Sequence, residues 1–175
     1  SNASDIATGA YSSLNTIIEN NLITRAYHGV YANGASATYP NLGLIVRNNV
    51  IGSSIGTDNI GNRGVFVSYT STTVSANSAI IEGNDIRVGD VSASGSGYSA
   101  SIAGIEIGAA NTGIIVRRNN IHDVMQPSTS GYGAFGISIT SATSNTSSDI
   151  QNNFIRDIIA SRYTTTITSS FENYG

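Results

Sequence analysis

The chain has 175 residues and a formal net charge of −3, because 8 basic residues, all of them arginine, stand against 11 acidic ones. This balance lacks the basic surplus of nucleic-acid-binding domains, and no apolar run reaches the roughly 18 residues that indicate membrane insertion. The absence of cysteine excludes disulfides, thiolate metal sites and cysteine nucleophiles. Since His28 and His122 are the only histidines, we also expect no metal site and no cofactor.

Residues 1–3 read Ser-Asn-Ala, which is typical of the remnant of a cleaved expression tag. Residues 4–175 are predicted to form a single domain, since this length supports one hydrophobic core, and to be a fragment of a longer protein. Isoleucine occurs 24 times and leucine 4 times, whereas asparagine and glycine occur 19 times each. β-Branched residues favour strands, and asparagine and glycine favour turns, so the composition predicts an all-β fold.

An eight-residue segment recurs five times without gaps, and we call it the asparagine segment. Its copies occupy residues 16–23, 44–51, 79–86, 114–121 and 148–155, and each contains the pattern apolar-x-x-Asn-x-Ile. The aligned asparagines are Asn21, Asn49, Asn84, Asn119 and Asn153. A segment that recurs at such a period predicts a solenoid, in which each repeat buries its apolar face against its neighbours.

A second pattern, Gly-apolar-x-apolar, lies between the copies of the first, and we call it the glycine segment. It begins at Gly29, Gly64, Gly104 and Gly136. Its period-two alternation predicts a second strand in each repeat. The polar stretch that follows each asparagine segment varies in length, which indicates an extendable loop on one side of the solenoid.

Together, the two segments resemble the repeats of the right-handed parallel β-helix family, which includes pectate lyases, polygalacturonases and large bacterial surface proteins. The resemblance implies an all-β, right-handed parallel β-helix of about five coils in a secreted or cell-surface bacterial protein. It also implies that the five aligned asparagines turn inward and form a ladder. An amide both donates and accepts, so identical side chains stacked about 4.8 Å apart satisfy one another, and we expect a structural role for them.

Leucine-rich repeats share the apolar-x-x-Asn-x-apolar pattern and are the second fold considered. Their period of about 20–29 residues is shorter than the one found here. The scarcity of leucine and the second strand in each repeat also favour the parallel β-helix.

Alternation along the strands predicts which side chains point outward. In the asparagine segment, one outward row alternates in charge and is expected to form ion pairs; it contains Glu19, Arg47, Glu82, Arg117 and Gln151. A second outward row is apolar over four repeats, which indicates a covering loop or a partner; it contains Ile17, Ile45, Ile80 and Ile115, followed by Asp149. We call this second row the isoleucine stripe.

The outward row of the glycine segment is the candidate ligand site. This row contains Tyr31, Phe66, Glu106 and Ser138, and the residues expected nearby are His28, Arg63, Tyr98, Tyr132 and Phe135. Aromatic faces stack on sugar rings while polar groups set the orientation, so Tyr31, Phe66, Tyr98, Glu106, Arg63 and His28 are candidate polysaccharide-binding residues. The structural alternative is that the aromatic residues support the long loops.

The same pattern gives little support for catalysis. Glycoside hydrolysis needs two carboxylates about 5–9.5 Å apart, and Glu106 is the one carboxylate in its row, which makes it a weak catalytic candidate. The paired aspartates and the Gly-His-Gly motif of polygalacturonases are absent. Asp123 and Asp157 are expected to pair with neighbouring arginines and not to hold a metal. We therefore expect a structural or carbohydrate-binding domain, with a polysaccharide lyase or glycoside hydrolase fragment as the alternative.

The ends of a solenoid expose unpaired strand edges beside apolar rungs. We therefore expect self-association, either end to end or through the isoleucine stripe, or contact with further coils of the longer protein.

Overall fold

The computed structural model describes residues 13–70, 79–89, 100–128, 131–140 and 147–160. These residues form an all-β parallel solenoid with an asparagine ladder, which confirms the predicted fold class. In the described ranges the only helical element is a single 3₁₀ turn, Gly56–Asp58. No helix in these ranges has the length and apolar character needed to cross a bilayer.

Three parallel sheets run along the solenoid axis. The first contains β1 (Ile17–Glu19), β4 (Ile45–Arg47), β7 (Ile80–Glu82), β10 (Ile115–Arg117) and β13 (Asp149–Gln151). The second contains β2 (Leu22–Ile23), β5 (Val50–Ile51), β8 (Asp85–Gly89), β11 (Asn120–Gln126) and β14 (Phe154–Ile155), with β15 (Ile158–Ala160) paired to the far half of β11. The third contains β3 (His28–Asn33), β6 (Arg63–Ser68), β9 (Ile102–Ile107) and β12 (Ala134–Ile139). The asparagine segments thus supply the first two sheets, and the glycine segments supply the third.

The number of turns is smaller than the sequence predicts. The solenoid has about three turns, against the five coils that five segment copies suggested. In the first sheet, β4, β7 and β10 each lie between two neighbouring strands, whereas β1 and β13 are edge strands. Each copy therefore supplies a rung, but only the middle rungs are enclosed on both sides.

Inward-facing isoleucine and valine side chains fill the interior. The aligned residues Val46, Ile81 and Val116 of the first sheet are fully buried, as are Ile51, Ile86 and Ile121 of the second. The glycines of the third sheet pack against this second row. A Cβ atom on Gly64 would lie 2.3 Å from Cγ2 of Ile86 and 2.5 Å from the carbonyl oxygen of Gly104. Glycine recurs here because no side chain fits between the rungs.

The predicted asparagine ladder is present. Asn49, Asn84 and Asn119 are each 1% exposed. The backbone N and Nδ2 of Asn49 both donate to Oδ1 of Asn84 at 3.0 Å, and those of Asn84 donate to Oδ1 of Asn119 at 3.1 and 2.9 Å. Nδ2 of each also donates to a carbonyl of the preceding rung, as from Asn84 to Val46 at 3.0 Å. Each ladder asparagine therefore supplies hydrogen-bond partners to the asparagine on the adjacent rung, as expected of stacked amides.

The residue before each ladder asparagine turns the chain between the first and second sheets. It has a left-handed backbone in all five copies, with φ between 54° and 64°; the residues are Asn20, Asn48, Gly83, Arg118 and Asn152. Glycine and asparagine tolerate this region best, which explains four of the five residue types.

The side chains of the two outward rows of the first sheet also point outward, as predicted. Nε of Arg47 donates to Oε2 of Glu19 at 2.6 Å, and Nε of Arg117 donates to Oε2 of Glu82 at 2.8 Å. The isoleucine stripe lies in register from Ile17 to Ile115 and ends at Asp149. Ile17 is exposed, and the following three isoleucines are half-buried.

Candidate functional site

The outer face of the third sheet brings most of the predicted ligand-binding residues together. Tyr31, Phe66, Glu106 and Ser138 occupy aligned positions on successive strands, in the predicted order. His28 and Arg63 are paired one strand apart on the same face. Tyr98, the remaining candidate, lies outside the described residues. Strand alternation alone was enough to place this row.

A shallow cleft of about 250 Å³ lies on this face. It is lined by Tyr27, His28, Tyr31, Asn62, Arg63, Phe66 and Glu106. Pockets for drug-sized ligands measure roughly 300–1,000 Å³, so this cleft suits one small polar unit of a ligand.

An ion pair forms one wall of the cleft. Nε of Arg63 donates to Oε2 of Glu106 at 2.6 Å, across two neighbouring strands. The side chains are 20% and 11% exposed, so water screens this pair less than it screens the pairs of the first sheet. Because the two charges cancel, the wall is polar without carrying a net charge.

The aromatic rings stack on one another. Tyr31 and Phe66 have centroids 4.7 Å apart and planes inclined by 12°, and His28 stacks on Tyr31 at 5.0 Å and 30°. Tyr27 packs edge-on against His28 at 4.7 Å and 69°. The sequence predicts that the ring faces meet sugar, whereas these contacts occupy the faces that Tyr31 shares with Phe66 and His28. Of the aromatic residues that line the cleft, Tyr27 is the most exposed.

Two buried polar atoms beside the cleft have no hydrogen-bond partner among the described residues. They are Nδ1 of His28 and Oδ1 of Asn62. Nδ2 of Asn62 donates to the carbonyl of Ser101 at 3.4 Å, so the side chain that carries the unpaired oxygen is fixed through its amide nitrogen. Buried polar atoms are normally paired, and both of these atoms are closed to solvent, so a ligand seated in the cleft would contact them only after a side chain moves.

His28 is held in its neutral form. Burial lowers the pKa of His28 below its ordinary value of 6.5, and the nearby positive charge of Arg63 lowers it further, while Glu106 opposes both effects. At pH 7 the imidazole therefore carries no charge, and the cleft as a whole stays close to neutral.

Tyr27 and Asn62 line the cleft but are not among the predicted site residues. Each stands two residues before a glycine of the repeated segment, in Tyr27-His28-Gly29 and Asn62-Arg63-Gly64. Their equivalent positions in successive repeats are a signal that the pattern did contain. The predicted site extends to His28 and Arg63, directly before these glycines, and so stops one residue short of Tyr27 and Asn62.

A second polar cluster lies on the outer face of the second sheet. Nδ1 of His122 lies 2.8 Å from Oδ2 of Asp123, and Nε2 lies 2.9 Å from Oδ1 of Asp85. Nε of Arg87 is 3.8 Å from the same Asp123 oxygen, and Arg156 pairs with Asp157. The predicted pairing of Asp123 and Asp157 with arginines is therefore confirmed, and the contacts of His122 join the third repeat to the fourth.

Groups of three or more His, Asp or Glu side chains suited to one metal ion do not occur within the described ranges. Comparisons with protein-family models, with curated proteins and with solved structures find no match to this chain.

Proposed function

We propose that this chain is a carbohydrate-binding parallel β-helix domain, of the right-handed pectate-lyase-like kind, from a secreted or cell-surface bacterial protein. The outer face of the third sheet is the proposed binding surface. The observation that carries the proposal is the cleft beside Tyr31 and Phe66, where stacked aromatic rings lie next to the Arg63–Glu106 ion pair.

Sugar hydroxyls fit the polar groups of this cleft because each can both donate and accept. Arg63 has guanidinium nitrogens besides the Nε that pairs with Glu106, and they can donate to a hydroxyl oxygen. The aromatic residues that line the cleft, Tyr27 among them, offer apolar contact to the C–H groups of a sugar ring.

The charge of the cleft favours a neutral sugar over a uronic acid. Arg63 is already compensated by Glu106 at 2.6 Å, and His28 is neutral because its pKa is lowered. An anionic sugar would have to compete with Glu106 for the guanidinium. The volume of about 250 Å³ accommodates a single unit, so a terminal or branching sugar residue is the proposed ligand.

Binding suits this site better than hydrolysis does. Glycosidases use two carboxyl groups on either side of the scissile bond. Among the described residues that line the cleft, Glu106 is the one carboxylate, and it accepts a hydrogen bond from Arg63. We therefore assign Glu106 the role of orienting Arg63.

The test is a glycan array probed with the 175-residue chain, followed by calorimetry on each ligand found. Replacing Tyr31 or Phe66 by alanine is expected to weaken binding at least about tenfold, equivalent to roughly 1.4 kcal/mol. Phe135→Ala is the matched control, because Phe135 is an exposed aromatic residue on the same sheet and does not line the cleft.

Equal affinities for Tyr31→Ala, Phe66→Ala and the wild-type chain would place the binding site elsewhere. A chain that binds no neutral glycan on the array, or that binds uronic-acid polymers in preference, would contradict the proposed ligand class.

A further inference from the structure

We propose that the solenoid assembles head to tail, with the last asparagine-segment rung of one copy packed on the first rung of a second copy. This proposal does not depend on the glycan site. The first and second sheets both run from the first segment copy, at β1 and β2, to the fifth, at β13 and β14. All strands in these sheets are parallel, and the edge rungs pair with their neighbours at equivalent positions. A second copy displaced along the solenoid axis would therefore place its first strands beside the last strands of the first copy, with the same strand direction and register.

The hydrogen bonds of the ladder are incomplete at both ends in complementary ways. Among the described residues, none donates to Oδ1 of Asn21, and none accepts from the backbone N of Asn153. Stacking would let Asn153 donate twice to Asn21 of the second copy. Nδ2 of that Asn21 would then donate to the carbonyl of Ile150, as Nδ2 of Asn49 donates to the carbonyl of Ile18. In the first and second sheets, the junction would repeat the contacts of an internal rung.

Apolar side chains are exposed at both ends in aligned positions. Leu22 at the first rung is 73% exposed, and Phe154, its counterpart at the last rung, is 61% exposed. Ile150 and Ile155 face inward by register, yet both are exposed, whereas their counterparts on the three middle rungs are buried. A second copy seated on this end would cover them with Ile18 and Ile23.

The outward rows of the first sheet are compatible with the same junction. Gln151 would face Glu19, and an amide can donate to a carboxylate that already accepts from Arg47. Asp149 would face Ile17, so no two like charges meet in these rows. The contact joins two different surfaces of the same chain, and repetition would produce an open chain of copies.

Glutamate substitutions at the exposed end positions test this proposal. The mass of the full 175-residue chain would be measured by light scattering across a concentration series. For the wild-type chain we expect a mass that rises with concentration and passes the mass of a dimer. Leu22→Glu and Phe154→Glu should each remain monomeric, whereas Ile55→Glu, a control at an equally exposed position away from both ends, should behave as wild type.

Mixing the two end variants distinguishes head-to-tail contact from other arrangements. In an equimolar mixture, the unchanged Phe154 end of the Leu22→Glu variant can pack on the unchanged Leu22 end of the Phe154→Glu variant. The opposite junction would bring the two introduced glutamates together. We therefore expect dimers and no larger species. Circular dichroism would confirm that each variant stays folded, and Leu22→Lys with Phe154→Lys would replace any variant that does not.

Three results would overturn the proposal. A wild-type chain that stays monomeric at every concentration would show that the ends do not associate. Association of Leu22→Glu alone would indicate another surface, such as the isoleucine stripe or a tail-to-tail contact. A mixture of the two folded variants that stays monomeric would exclude the predicted native junction.

Discussion

The ladder inside the solenoid and the outward row of the third sheet are both stacks of aligned residues, yet they differ in composition. Asn49, Asn84 and Asn119 repeat one residue and one set of contacts at every rung. The outward row changes at each step; it reads Tyr31, Phe66, Glu106 and Ser138. A residue type that repeats at every rung marks positions whose side chains must hydrogen-bond to one another. A residue type that changes from rung to rung marks positions that the stacking does not constrain.

The physical reason is burial. An inward amide has no contact with water, so its donors and acceptors must form hydrogen bonds with the adjacent rungs. Identical residues on successive rungs provide these hydrogen bonds. An outward residue can be solvated and is not bound by that requirement. The cleft occurs where the outward rows hold aromatic rings, an arginine and a glutamate, and we connect its function with this local departure from repetition.

The largest effect is expected from breaking the ladder at its centre. Asn84→Leu removes the acceptor of both the backbone N and Nδ2 of Asn49, and it also removes the donor to Val46. Since each unsatisfied buried group costs about 1–3 kcal/mol, we expect a loss of about 3 kcal/mol in the free energy of unfolding, measured by urea denaturation.

Asn21→Leu is the matched control, because Asn21 is exposed and belongs to the first rung. It should cost clearly less than Asn84→Leu. Equal losses at the two positions would mean that the ladder contributes little beyond local turn geometry.

A second way to test the repeated interior is to add a single methyl group. In Gly64→Ala the new Cβ would meet Ile86 at 2.3 Å and the Gly104 carbonyl at 2.5 Å, so the rungs must move apart. Overpacking of this kind costs about 1–3 kcal/mol, and we expect about 2 kcal/mol in thermal and urea unfolding. Gly61→Ala, where the nearest atom would be 3.3 Å away, should change stability much less. A tolerated Gly64→Ala would show that the spacing between the second and third sheets is adjustable.

The sequence was sufficient to predict the repeated part of the molecule. Five ungapped copies of one segment determine the parallel register, the inward asparagines and the alternating charges of Glu19 and Arg47, because each depends only on strand alternation. The number of turns was overestimated, since a segment copy at an open end forms a rung that is not enclosed. Tyr27 and Asn62 were missed, and so was the mutual stacking of Tyr31 and Phe66, because ring orientation follows from neighbouring side chains and not from register.

The outward row is expected to tolerate change better than the ladder does. Glu106→Gln keeps the shape of the side chain and removes the charge that pairs with Arg63 at 2.6 Å. Because this pair is mostly buried, we expect a loss of about 1.5 kcal/mol in urea unfolding. Glu82→Gln is the control at a more exposed pair, where about 0.5 kcal/mol is expected. A larger loss in Glu82→Gln than in Glu106→Gln would contradict the ranking of the two pairs by burial.

The smallest effect concerns the charge state of His28 in the outward cleft. Burial and Arg63 lower its pKa in the folded chain, whereas the unfolded chain titrates near 6.5. Above that pH both states are neutral and His28 contributes no pH dependence. As the pH falls below it, the unfolded chain binds a proton that the folded chain still excludes, so the free energy of unfolding decreases. Urea unfolding at about pH 7.5 and about pH 5.5 should therefore show a larger loss for the wild-type chain than for His28→Gln. All other residues are the same in the two proteins, so the difference between their losses isolates His28. An equal loss in the two proteins would mean that His28 is solvated like an exposed histidine, and the cleft would then lack the neutral character on which its proposed preference for uncharged sugars depends.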